Sequence, residues 1–390
     1  MYGFPSKKLF VVGVTGTKGK SSTLELMSAI MESAGIKTAL LNSVRRKVGE
    51  VSVPNKYHNS MPGRMVIQKF LRDAVNTGCE YAFIEVTSQG VVQHRHRFIA
   101  WDVAAFLNLA PEHIESHGSF EKYRDAKVSF FRYAGHSLKH PHWFFVNDRD
   151  EYKSFFENAA REVSDAKVVL WNSDELLKEI TREEMSLWVK ADFNIENSAC
   201  AWAFARSQGV EREIIKKTLS EFKGVSGRME FVQEKPFAVV VDYAHTPESL
   251  EAIYKALKPV SGARLIGVFG SDGGGRDKWK RPRFGEIAEK FCDVIVLTEE
   301  NPYDENPQEI LDQIKSGIKN SDIRKNNNTL YEIIDRKEAI TKAIRIARPG
   351  DVVVMTGKGS EQWLYLPKGK KIPWSEVKVV KEVINSMAIH

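Results

Sequence analysis

Residues Val11 to Ser22, VVGVTGTKGKSS, run a short buried strand through Gly16 and Gly19 straight into a helix start. A strand, a glycine turn and a helix in immediate succession form the opening βα unit of a parallel α/β sheet, which sets the class of fold. The same turn carries chemistry. Glycines let backbone N–H groups close on phosphate oxygens, Lys20 neutralises charge at the β- and γ-phosphates, and Ser21 is placed to hold a bridging Mg²⁺. Gly16, Thr17, Lys18, Gly19, Lys20, Ser21 and Ser22 are therefore the candidate grip for a nucleoside triphosphate, ATP being the expected one. The spacing is not that of the strict phosphate loop, since Val14 stands five residues before Gly19 and the nearest glycine, Gly13, comes one position early.

At 390 residues two domains are expected, each with an ample core. Hydrophobic residues make up 42% and charged residues 28%, as in ordinary globular proteins. Cys79, Cys200 and Cys292 are odd in number, widely spaced and set in apolar surroundings, so reduced thiols are expected rather than a disulfide frame or a zinc cluster. The apolar run at Leu9–Val14 is too short to span a membrane and carries no signal-peptide flanks, which favours a cytoplasmic location. The net charge of +6 is spread along the chain without a recognition module, so nucleic acid is not an expected partner. The one basic cluster, Lys278 to Arg283, reads either as lining for an anionic substrate or as a solvated helix start.

Helical spacing over Ser22–Ala34 and Arg64–Asn76, each stopped by a glycine, alternates with apolar strands at Tyr81–Val86 and Val103–Leu109. From about Tyr152 to Met185 the chain reads as acidic and helical, and Asn194–Ser207 as a further helix. The unit changes near Gly224–Arg228. After it come strands at Phe237–Val241, Leu265–Phe269, Val294–Leu297 and Val352–Met355, with helices at Pro247–Leu257, Phe284–Phe291, Gln308–Ile318 and Lys337–Ala347. The polar motifs of this second unit follow the carboxyl ends of its strands, where open α/β sheets bind ligands. Its Gly273-Gly274-Gly275 run lacks dinucleotide spacing, and Lys325–Asn328 reads as a loop. The fold expected is thus α/β: a P-loop-type central ATPase domain with a parallel sheet over residues 1–227, plus a C-terminal Rossmann-like doubly wound domain over 228–390.

Several motifs in order make a resemblance specific. TGT-x-GK-S-S at 15–22, Glu85-Val86-Thr87-Ser88-Gln89-Gly90 with Gln93-His94-Arg95, and Asn108-Leu109-Ala110-Pro111-Glu112-His113 come first. His117-Gly118, Tyr123 to Lys127 and Phe193-Asn194-Ile195-Glu196-Asn197 follow, then Gly227-Arg228-Met229-Glu230, Asp242-Tyr243-Ala244-His245-Thr246-Pro247 and Gly357-Lys358-Gly359. Together they resemble the Mur ligases, specifically the UDP-N-acetylmuramyl-tripeptide synthetase branch, over nearly the whole chain. The resemblance implies an ATP-dependent amide ligase of peptidoglycan precursor synthesis that makes an acyl phosphate from a muramyl-peptide-like carboxylate and joins it to an amino acid. Two alternatives remain: a folylpolyglutamate- or poly-γ-glutamate-type ligase, and a non-catalytic nucleotide-binding subunit of a cell-wall amidating complex. Gln93, His94 and Arg95 count against the first, and the absence of a four-cysteine zinc insertion against the second.

By this resemblance Glu85, His113 and a carbamylated Lys127 join Ser21 as ligands of Mg²⁺, and with Lys20 they form the catalytic set. The plain structural alternatives are a capping glutamate, a loop histidine and a helix-surface lysine. Asn197, Arg228, Asp242 and His245 are assigned to ATP, and Asn59, Ser60, Thr87, Gln93 and Arg95 to the acceptor. Arg276, Glu300, Asn301, Tyr303, Gly357 and Glu361 face the incoming amino acid, Arg276 as a carboxylate fork. Departures bear on substrate. The family's N-terminal uridine-nucleotide domain, roughly a hundred residues, has no counterpart ahead of the phosphate loop, so UDP recognition is not expected of this chain unless a partner supplies it. Tyr303 stands where diaminopimelate-adding members end DNPR in arginine, Ser360 where GKGHE has histidine, and Gln89 where EVSSH does.

Overall fold

A computed structural model describes residues 2–56, 60–112, 114–137, 139–259, 262–275, 278–320 and 329–387. The expectations at Asn59, His113, Arg276 and Lys325–Asn328 lie outside the described residues. The chain divides into two compact units, Met1–Lys223 and Gly224–His390.

In the first unit the described residues form an eight-stranded sheet. Its strands are β1 (Phe10–Thr15), β2 (Thr38–Leu41), β3 (Arg45–Val48), β4 (Val51–Pro54), β5 (Tyr81–Glu85), β6 (Val103–Phe106), β7 (His142–Asn147) and β8 (Ala166–Trp171), in the order β4-β3-β2-β5-β1-β6-β7-β8. All neighbours are parallel except β2–β3 and β3–β4. The central strands are buried on both faces, as continuous Val, Ile and Ala runs require. The helix Phe120–Gly135 packs on one face through Phe130 and Phe131 within a core that includes Ile84, Trp101 and Phe106. On the other side, the helices Lys20–Ser33 and Asp192–Ser207 pack on each other.

The reading of Tyr152–Met185 as helical is corrected by β8. Its sequence, AKVVLW, pairs in parallel with β7 from His142↔Ala166 to Asn147↔Trp171. As the edge strand of its sheet, β8 buries little of its length. Its apolar signal is accordingly short, and the charged helices at Lys153–Arg161 and Ser173–Glu179 flank it.

The second unit carries β9 (Glu230–Gln233), β10 (Ala238–Val241), β11 (Leu265–Phe269), β12 (Val294–Leu297), β13 (Leu330–Glu332) and β14 (Val352–Met355). Their order is β13-β12-β11-β14-β10-β9, parallel apart from the edge strand β9. A small hairpin, β15 (Trp363–Tyr365) and β16 (Lys371–Pro373), follows. Helices at Pro247–Leu257, Lys280–Phe291, Pro307–Lys315, Arg336–Ile346 and Glu376–Met387 complete the layers, the last two packed on each other. The basic cluster at 278–283 is not merely a solvated helix start. Lys280 and Arg281 are buried, and Arg281 spends its guanidinium on Glu305, Gln313 and the Asp272 carbonyl. Among the described residues, no helix is long and apolar enough to cross a membrane.

Candidate active site

The turn after β1 is held from several sides. Gly19, at φ +83°, precedes the helix Lys20–Ser33, and a Cβ there would lie 2.1 Å from Asn197 Oδ1. Only glycine gives both the left-handed backbone and the room for Asn197, which places a residue from the helix 192–207 directly against the loop. Thr17 N donates to the Asn108 carbonyl at 2.9 Å, and Lys18 N to Asn108 Oδ1 at 2.9 Å. Thr17 Oγ1 lies 3.0 Å from Tyr123 OH, and Lys18 Nζ pairs with Glu112 at 2.6 Å. Asn108 and Tyr123 fall inside the quoted motifs yet were not singled out by the sequence reading. Ser43, the third addition, follows β2 with no motif around it.

Lys20 folds over its own loop, donating to the carbonyls of Gly16 at 3.0 Å and Thr17 at 2.9 Å. Ser21 Oγ donates to Glu85 Oε2 at 2.6 Å, and the same carboxylate oxygen accepts from Ser43 N at 2.9 Å. The register Val14↔Glu85 explains the meeting: adjacent parallel strands end together, so the last residue of β5 faces the loop that leaves β1. Glu85 is buried at this spot, a hard oxygen donor beside a serine hydroxyl, and such a pair suits a hard dication.

Lys127 is not on the helix surface. It is 2% exposed, and its Nζ donates to the Gly16 carbonyl at 2.7 Å, the oxygen that Lys20 also reaches. Burial drives its pKa well below the ordinary lysine value and the Lys20 charge adds to this, while Glu112 and Glu85 pull the other way. The result is an amine that sheds its proton easily beside the phosphate loop. His117 sits close by, its Nε2 3.1 Å from Ser88 Oγ, and burial followed by the Lys127 charge lowers its pKa.

The residues assigned to the acceptor lie just beyond Glu85. Thr87 caps the helix Ser88–Val92 by accepting from Gly90 N at 3.0 Å. Arg95 donates to the Met61 carbonyl, Ser60 is half-buried and Gln93 is exposed.

In the second unit, Asp242 ends the strand region of β10 and accepts from the backbone N–H groups of Met229 and Ala244, each at 2.7 Å. Burial raises its pKa, an effect that the Arg228 charge opposes. Arg228 lies 4.1 Å above the Tyr243 ring, and His245 Nδ1 is 3.0 Å from the Tyr243 carbonyl. The turns after β12 and β14 meet in one polar cluster. Lys358, wholly buried, places its ammonium on Asn301 Oδ1 at 2.7 Å, Glu361 Oε2 at 2.6 Å and the Trp363 carbonyl at 2.7 Å. Three donors thus meet three acceptors. Asn301 also donates to Asp272 Oδ1 at 2.8 Å. Gly357, at φ +99°, gives the Glu300 carboxylate its room, since a Cβ there would sit 2.3 Å from Oε2. Burial pushes the Glu300 carboxyl up to about 8, with Asp272 adding to the rise. Tyr303 stacks on Tyr365 at 5.4 Å with its backbone at φ +52°. Lys358 belongs to a quoted motif but is not among the expected site residues, and it already pairs with Glu361, one of the residues expected to face the incoming amino acid.

The chain matches the Mur ligase middle domain over residues 14–205 and the Mur ligase, glutamate ligase domain over residues 227–359. It is 34% identical over 399 residues to UDP-N-acetylmuramoyl-L-alanyl-D-glutamate--2,6-diaminopimelate ligase 1 of Clostridium acetobutylicum, covering 99% of this chain and 80% of that one. It is 35% identical to the UDP-N-acetylmuramyl-tripeptide synthetase of Roseiflexus sp., covering 96% and 78%. A solved structure of a UDP-N-acetylmuramoyl-L-alanyl-D-glutamate--2,6-diaminopimelate ligase superposes with a TM-score of 0.63 at 26% identity, covering 97% of this chain and 79% of the other. With the phosphate loop, the Ser21–Glu85 pair and the two sheets in place, the chain belongs to the Mur ligase family of ATP-dependent, ADP-forming amide ligases.

Proposed function

We propose that this chain uses ATP to activate the terminal carboxylate of a muramyl-peptide-like acceptor and joins it to the amine of an amino acid, as a step in building peptidoglycan precursors. The observation that carries this reading is the cluster of Lys20, Ser21, Glu85 and Lys127 about the Gly16 turn. Phosphoryl transfer between polyanions needs positioning and charge neutralisation above all. Lys20 supplies a compact positive charge for the transferred phosphoryl group, and the N–H groups of the turn donate to the phosphate oxygens. An acceptor carboxylate oxygen attacks the γ-phosphorus and ADP departs. The amine nitrogen then attacks the acyl carbon, the C–N bond forms, the nitrogen gives up one proton, and phosphate leaves with the former carboxylate oxygen.

Ser21 and Glu85 would hold Mg²⁺, with His113 and a carbamylated Lys127 as the further ligands that the family resemblance assigns. The metal supplies neutralisation of the phosphate charge. The depressed pKa of Lys127 favours the carbamate, because only the neutral amine adds CO₂, forming an N–C bond and releasing one proton.

The amino acid we assign is one with a neutral or cationic side chain, lysine first. The two relatives named above as acting on 2,6-diaminopimelate would need a cation for its distal carboxylate, and Tyr303, stacked on Tyr365, takes that place here.

The test is ADP release across uridine-linked muramyl peptides, free muramyl peptides and folates, each with a panel of amino acids. Turnover is expected only with a muramyl acceptor and an amino acid together, and Lys20→Ala should abolish it. Turnover with folates alone, or near-normal ligation by Lys20→Ala, would overturn the reading.

A further inference from the structure

At the amino ends of β7 and β8, two imidazoles and a carboxylate come together. His142 begins β7, His140 stands two residues earlier, and Asp165 immediately precedes β8. The parallel pairing His142↔Ala166 brings them side by side. His140 Nδ1 is 2.6 Å from Asp165 Oδ2, and His142 Nδ1 is 2.8 Å from Asp165 Oδ1. One ligand atom from each side chain lies within 4.8 Å of the other two.

The buried ring of His142 points to what this cluster binds. Its Nε2 lies 3.3 Å from the Ser137 carbonyl while Nδ1 faces the carboxylate, so both ring nitrogens address oxygens that only accept. A neutral imidazole has one N–H. With Nε2–H donated to Ser137, the Nδ1 lone pair faces a carboxylate oxygen, an arrangement that a bridging cation makes attractive; with Nδ1–H donated to Asp165 instead, the 3.3 Å Nε2 contact is left without a hydrogen. A backbone carbonyl on the far nitrogen is also the usual device for orienting a metal-binding histidine. His140, 67% exposed in its side chain, leaves an entry path.

We propose that His140, His142 and Asp165 form a site for a divalent transition-metal cation of the zinc type. Two imidazole nitrogens and one carboxylate suit Zn²⁺, Co²⁺ or Ni²⁺, whereas Mg²⁺ prefers oxygen ligands throughout. Binding takes the ion into the space between the Nδ1 atoms and the carboxylate, releases the Nδ1 proton of His140, and leaves a fourth position for water. The site stands at the opposite end of β7 from the phosphate-loop end of the sheet. Six strand residues at roughly 3.3 Å each put about 20 Å between them. Its role is to pin the edge strand β8 to its neighbour β7 rather than to serve the ligation.

The test uses the full chain, freed of metal by a chelator and titrated with Zn²⁺ by calorimetry and with Co²⁺ by its ligand-field absorption. The wild type should bind one ion that His140→Ala and Asp165→Asn bind at least about tenfold more weakly, since loss of an outer-shell partner alone costs 10–100-fold. Zn²⁺ should raise the melting temperature of the wild type and not of the variants, and Mg²⁺-dependent ligation by both variants should stay unchanged. His140 is exposed and Asp165→Asn keeps shape, so both variants should fold. Equal zinc binding by the wild type and both variants overturns the proposal, as does a wild type that takes up neither ion; in the latter case the cluster is a hydrogen-bonded clasp between β7 and β8.

Discussion

Arg336 and Lys337 are consecutive on the helix Arg336–Ile346, and each pairs with a glutamate on the helix Glu376–Met387, so they compare burial with all else nearly equal. Arg336 and Glu376 are both 0% exposed at 2.6 Å, whereas Lys337 and Glu382 are 56% and 47% exposed at 3.1 Å. The Glu376 carboxylate accepts from Arg336 Nε, Arg336 Nη2 and Trp374 Nε1. The guanidinium also donates to the carbonyls of Glu299 and Thr356, tying the turns after β12 and β14. Glu376→Ala leaves a buried guanidinium without its counter-ion, at a cost of about 3–5 kcal/mol. Glu382→Ala should cost no more than about 1 kcal/mol. The second unit, Gly224–His390, spans 167 residues. At about 2–4 °C per kcal/mol for that size, Glu376→Ala should lower its melting temperature by about 6–20 °C. Scanning calorimetry of the two variants gives the comparison. The pair Arg336→Met with Glu376→Leu should recover most of the stability, because apolar replacement of a buried pair is often neutral or better. It should still raise the KM for the amino acid, since Glu299 and Thr356 lose their common donor beside Glu300 and Gly357. Equal, small losses for Glu376→Ala and Glu382→Ala would refute the reasoning.

Other predictions follow from the same geometry. Lys127→Ala should lose most ligase activity with an unchanged melting curve; full activity in that variant, together with an unmodified lysine by mass in the wild type, would end the carbamate assignment. Glu300 keeps its proton up to about pH 8 when folded but ionises near 4.5 when unfolded. The folded state therefore binds more protons in that window, and this group removes stability as pH rises through it, by up to about 1.4 kcal/mol per pH unit. Urea unfolding across pH 5–8 should show that slope in the wild type and lack it in Glu300→Gln. For selectivity, kcat/KM for lysine should exceed that for meso-diaminopimelate, and Tyr303→Arg should shift the ratio toward diaminopimelate. The backbone at 303 sits at φ +52° for either side chain, so the exchange adds no new backbone penalty. A wild type that prefers diaminopimelate, or a variant with no shift, removes the 300–303 turn as the selectivity element.

What could be read from residues alone was what neighbouring residues decide together. Gly16, Gly19, Lys20 and Ser21 announce the phosphate loop because turn, charge and helix start are consecutive. Lys127 was legible in a weaker way: it falls on the face of its helix shared by Tyr123, Phe130 and Phe131, all buried, so a lysine there stands out. The pairings between distant turns were not legible. Arg281 reads as one of a run of surface cations until Glu305 is found 24 residues on, and Lys358 reads as loop sequence until Asn301 arrives from another strand. Edge strand β8 was hidden for a related reason, since a strand that buries little carries little apolar pattern. In a parallel sheet, turns far apart in sequence meet because adjacent strands end in register, and the register is a property of the whole sheet. The residues whose roles depend on such a partner are therefore the ones that the register places. Asp165 and Glu376 are both of this kind: each is an unremarkable acid in its own stretch of chain, and each takes its hydrogen-bond partner from an element at least 23 residues away.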